Sequence, residues 1–143
     1  MTIEENKAIV RRVIEEVFLR GDAHAVEELV APDFTPHDWG ANARGREAML
    51  GAIKRTSAGL SDAKMTIEDM IAEGDRVAVR LTSSATQSGE FMGMPPSGAR
   101  YEISEIHIFR IRDGQIVEHW HQLDMMGMQR QLKAGAASDD TPA

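Results

Sequence analysis

The chain of 143 residues contains no cysteine. That excludes disulfide staples, thiolate nucleophiles and cysteine-held zinc, and it fits a cytoplasmic protein. Basic charge is also short: 16 Lys and Arg stand against 23 Asp and Glu, a net of −7. Such a surface repels phosphate backbones, so nucleic acid is not an expected partner. No apolar run approaches the ~18–20 residues of a membrane span, so no membrane association is expected. The opening Met1-Thr2-Ile3-Glu4-Glu5 lacks the basic-then-apolar pattern of a signal peptide. No internal repeat is present. What remains is 42% hydrophobic and 27% charged, the balance of a soluble globule with one core.

The first segment reads as a helix. Thr2 and Glu5 have capping-box spacing, and Val10, Val13, Ile14, Val17 and Phe18 form one apolar stripe. Gly21 is placed to stop it. Asp22 caps a short second helix that Pro32 should end, with a loop from Thr35 to Arg44 after it. A third helix is expected over about Arg46–Ser57. From Ala63 the period changes to two, with Met65, Ile67, Asp69 and Ile71 on one side of a strand. A second strand runs from Arg76 to about Thr86, a third from Tyr101 to Arg112 and a fourth from Gln115 to Leu123. Asp113-Gly114 turns the last pair into a hairpin. Asp124 caps a final helical turn or two. The pattern predicts an α+β domain over residues 1–133, helices packed on one face of a curved antiparallel sheet, with a flexible tail over 134–143.

Three of the five histidines lie in the hairpin: His107, His119 and His121. A two-residue turn pairs His107 with Trp120. A three-residue loop with Gly114 left-handed pairs His107 with His119 and Glu105 with His121. The second register is preferred, because it places His107, Phe109, Val117, His119 and His121 on one face with Ile103 and Leu123. His107 and His121 then form a diagonal pair. Three readings follow: half-buried structural histidines, an acid–base site using the near-neutral imidazole pKa, or a metal site held by His107, His119 and His121.

Gly93-Met94-Pro95-Pro96-Ser97-Gly98, His107, the run Arg110 to Trp120, and Asp124 with Gln131-Leu132 resemble the SnoaL-like polyketide cyclases (ester cyclases), within the nuclear transport factor 2-like superfamily. Ala31-Pro32-Asp33-Phe34 and Gly45-Arg46-Glu47-Ala48 add to the resemblance, which spans about residues 5–133. It implies an α+β cone around a cavity, and cofactor-free ring closure of a polyketide ester by intramolecular aldol condensation. In that family an Asp takes the α-proton and a His steadies the enolate. The His matches His107; the Asp position holds His121. Many relatives carry His where Gln87 stands. No tyrosine lies in the opening helices, so an oxyanion hole of the ketosteroid isomerase kind is not supported.

The resulting expectation is an acid–base enzyme acting on a hydrophobic carbonyl compound, with His121, His107 and Asp124 as catalytic candidates. Asp124 has the competing reading of a helix cap. His37, Trp39, Gln87, Glu105, Phe109 and His119 are the candidate substrate-binding residues. A cavity protein that binds without chemistry, and the three-histidine metal site, stand as alternatives. Trp120 is expected to face away from the pocket. The resemblance also implies a homodimer.

Overall fold

The computed structural model describes residues 1–139, with side chains described through residue 136. Helix α1 (Ile3–Arg12) starts where expected: Thr2 Oγ1 accepts the Glu5 N–H at 3.1 Å. It continues as a π-helical stretch, Val13–Leu19, a wider turn that absorbs an extra residue. Val10, Val13, Ile14 and Val17 are buried along one side. Gly21 ends it at φ +64°, against Ile53, where a side chain would collide. Asp22 then caps α2 (Ala23–Leu29) through the His24 and Ala25 N–H groups.

The chain does not stop at Pro32. It extends as β1 (Val30–Pro36), a strand the sequence reading leaves out, and the expected loop from Thr35 begins two residues late. Pro32 is tolerated because β1 is an edge strand with an irregular register between Val30 and Thr35. After α3 (Gly45–Gly59) come β2 (Leu60–Glu73), β3 (Arg76–Gln87), β4 (Arg100–Arg112) and β5 (Gln115–Leu123). The sheet order is β1-β5-β4-β3-β2. β1 runs parallel to β5 and the other pairs are antiparallel, so the sheet is mixed rather than wholly antiparallel.

Bulges decide which side chains face inward. In β2 the register shifts between Ile67 and Asp69, so Met65 and Ile67 face the core first and Met70 and Ala72 afterwards. Ile71, expected beside Met65 and Ile67, is turned out and is 71% exposed. In the hairpin, Asp113-Gly114 makes a two-residue turn that pairs Arg112 with Gln115 and Ile111 with Ile116. A bulge at Val117 then shifts the ladder, so Arg110 meets Glu118 and Phe109 meets His119. Both predicted registers are corrected: His107 lies directly opposite His121, not diagonal to it, and Glu105 opposite Leu123. The extra residue restores the alternation, so the expected histidine face is the one that points inward.

The main core lies between the opening helices and the inner sheet face, around Ile14, Leu29, Phe34, Leu81, Phe109 and Ile116. A second cluster forms where Met128 and Leu132 of α4 (Met125–Asp139) pack on Ala85, Tyr101 and Ile103. α4 passes Ala134, where the expected tail begins; residues 140–143 of that tail lie outside the described residues.

Candidate active site

Between the helices and the sheet lies a cavity of about 490 Å³. Its walls are mostly apolar, with Phe18, Met49, Ile53, Met65, Phe91 and Met128 among them. Its polar side comes from the inner faces of β3, β4 and β5: Ser83, Tyr101, Glu105, His107, His119 and His121. Strand alternation puts Tyr101, Glu105 and His107 on one face of β4. Few polar groups converging in an apolar hollow are the usual form of a small-molecule site.

Glu105, His107 and His119 are joined in a buried chain. Glu105 Oε1 lies 2.8 Å from His107 Nε2, and His107 Nδ1 lies 2.8 Å from His119 Nε2. A carboxylate only accepts, so His107 donates from Nε2. A neutral His107 then accepts at Nδ1 from the His119 Nε2–H. This assignment leaves a lone pair, not an N–H, at the buried His119 Nδ1, which has no partner among the described residues. Burial first, then the neighbouring His107, push His119 well below the ordinary histidine pKa.

His121 stands beside this chain. Its ring stacks on His107 at 5.5 Å and on His119 at 5.0 Å. Trp39 meets it edge-on at 6.5 Å, and Phe18 covers His107 and His119 from the helical side. Burial first, then His107, lower the His121 pKa below its ordinary value, while Asp38 and Glu105 act weakly the other way. At neutral pH the ring is therefore uncharged and able to take a proton.

The structure gathers His107, His119, His121, Glu105 and Trp39 at the cavity. The other candidates lie elsewhere. Asp124 Oδ1 accepts the Gly127 N–H at 2.9 Å, so Asp124 caps α4. Gln87 is fully buried, donates to the Met94 and Pro95 carbonyls and accepts from Ser97 Oγ, so it pins the loop 88–98. Phe109 packs in the core beneath His107 and His119. His37 lies on the outer sheet face, stacked on Trp120 at 4.8 Å and 2.9 Å from Glu118. Trp120 faces outward as expected and carries the Arg76 guanidinium over its ring.

His107 was expected to donate to an oxyanion, but both its ring nitrogens are engaged within the protein. Nor do the three histidines converge as metal ligands: two of their nitrogens face each other, and no group of three or more His, Asp or Glu among the described residues is placed to hold a metal. The sequence reading missed Asp38, which accepts the His121 backbone N–H at 2.7 Å. No spacing rule marks it, because residues 37–39 form a turn after β1 in which strand alternation does not apply.

The family model for SnoaL-like polyketide cyclases matches residues 8–132. The chain is 30% identical to the aklanonic acid methyl ester cyclase DnrD of Streptomyces peucetius, over 87% of this chain and 88% of that one. Among solved structures, TsrD from Streptomyces laurentii is 30% identical with a TM-score of 0.84, covering 94% of this chain and 98% of its own. IdmH from Streptomyces antibioticus is 35% identical with a TM-score of 0.77, covering 90% and 98%.

Proposed function

The chain belongs to the family of SnoaL-like polyketide cyclases, and on that premise we propose that it closes a ring in a hydrophobic polyketide ester by an intramolecular aldol reaction, without a cofactor, using His121 as the base. The observation that carries this reading is a neutral imidazole set in the wall of an apolar cavity beside a buried hydrogen-bonded carboxylate and histidine chain. The proton balance is simple. His121 takes the proton from the carbon next to the ester carbonyl. The enolate carbon attacks a ketone carbon of the same molecule and forms the new C–C bond. The alkoxide left on that ketone oxygen takes the proton back from the imidazolium. The product is an isomer of the substrate, and no water is consumed.

His119 and His107 act in this reading as positioning residues: they hold the His121 ring by stacking. Trp39 and Phe18 provide flat apolar surfaces for a fused-ring substrate. Glu105 fixes the orientation of His107. Exposed Ile106 and Ile108 on the outer face of β4 support a homodimer that pairs through the sheet; light scattering at tens of micromolar tests it, and a monomer refutes it.

The test uses aklanonic acid methyl ester, the compound class on which DnrD acts by name. Purified protein should convert it to a product of unchanged mass and altered absorption. Recovery of the ester unchanged and tightly bound, after long incubation, would instead establish a binding cavity without chemistry.

A further inference from the structure

The loop after β1 is held from both sides of the sheet. The His37 N–H donates to the His119 carbonyl at 2.9 Å, and its ring is clamped between Trp120 and Glu118 outside. Two residues on, Trp39 packs inside against His119 and Phe34. Asp38, between them, is fixed at the rim of the cavity. Its Oδ2 accepts the backbone N–H of His121 at 2.7 Å and lies 3.8 Å from Nδ1 of the same residue. That Nδ1 is buried and has no hydrogen-bond partner among the described residues. An unpartnered ring nitrogen therefore faces a carboxylate that a small rotation would bring into contact.

We propose that Asp38 and His121 form a dyad in which the Asp38 carboxylate receives the Nδ1–H of His121 as the ring is protonated at Nε2. The dyad rests on the cyclase reading for the direction of proton flow, though not for its existence. It assigns Asp38 as a positioning residue. The carboxylate fixes which nitrogen carries the proton in the resting ring, leaving Nε2 as the basic one. It also offsets the charge of the imidazolium that forms. The negative charge absent from position 121 is thus supplied from a neighbouring loop. Catalytic hydrogen bonds in empty sites are commonly long and tighten only around substrate, which suits a 3.8 Å separation in the open cavity.

The groups that face the His121 ring are His107 and Glu105 from β4, His119 from β5 and Asp38 from the loop. His107 and burial disfavour the imidazolium; Asp38 and Glu105 favour it. Asp38→Asn separates the two functions of the aspartate, because an asparagine oxygen still accepts the His121 backbone N–H but brings no charge.

The experiment is an NMR titration of the His121 ring nitrogens in the full chain, without substrate, comparing wild type with Asp38→Asn. The expected result is a further downward shift of the His121 pKa and a loss of preference for the Nδ1–H tautomer. Asp38→Ala, which also removes the backbone acceptor, should show the same ring shift, with circular dichroism checking its fold. With a turned-over ester, kcat for Asp38→Asn should fall at least about tenfold, and the acid limb of its pH profile should move with the ring pKa. A His121 ring that titrates identically in wild type and Asp38→Asn overturns the dyad, whatever the enzyme does with any ester. A shifted ring with no turnover of any polyketide ester keeps the dyad and refutes the cyclase reading alone.

Discussion

His107 and His121 face each other directly across β4 and β5, their ring centroids 5.5 Å apart and their planes 9° from parallel. Stacked at that distance in a buried wall, the two rings do not both gain a proton without repulsion. Both nitrogens of His107 are already engaged, Nε2 with Glu105 and Nδ1 with His119, which leaves His121 as the ring with nitrogens open to a proton.

Replacing His121 by alanine should lower kcat on a polyketide ester by about 10²–10⁴-fold, the usual contribution of a positioned base. The side chain is mostly apart from the main core, so the melting temperature should change little. Activity that survives unchanged removes His121 from the mechanism.

Stability should depend on pH through His119 and His121. Both have folded pKa values below the ordinary 6.5. Below that value the unfolded chain binds protons that the folded chain refuses. The contribution is therefore complete above pH 6.5 and is lost as the pH falls beneath it. Urea unfolding between pH 8 and pH 5 should show a falling midpoint, and His119→Gln should flatten the slope.

Glu105→Ala leaves the buried His107 Nε2–H without an acceptor and should cost about 1–3 kcal/mol. Glu105→Gln keeps an acceptor oxygen and should cost less. Equal losses in urea titrations would show that the carboxylate does not hold the ring.

Gln87→Ala removes three hydrogen bonds that tie the loop 88–98 to the end of β3. The cost should be about 1–3 kcal/mol. Protease cleavage between Glu90 and Ser97 should accelerate, and KM should rise more than kcat falls, because Phe91 of that loop forms part of the cavity wall.

Local signals were legible wherever one rule acted alone. Thr2, Asp22 and Asp124 each cap the helix expected of them. The inward face of β4 follows from simple alternation. The reading fails where a bulge or an edge intervenes: Ile71 is displaced by the shift in β2, and β1 is hidden by a proline that only an edge strand accepts. Within the site, the histidine face was readable and its connections were not. Which nitrogen of His107 meets Glu105, and that Asp38 reaches His121 from 83 residues away, are set by side-chain packing and loop closure. No periodicity encodes either.

The bulge at Val117 acts as a length buffer between the hairpin turn and the histidines. A turn of two residues and a fully regular ladder would have carried His119 and His121 to the solvent side. Because the odd residue is absorbed at Val117, deleting Val117 should merely straighten the ladder and leave Arg110 opposite Glu118, with both histidines still facing inward. The surface turn is thereby free to vary by one residue during evolution or redesign, while the chemistry-bearing half of β5 keeps its orientation.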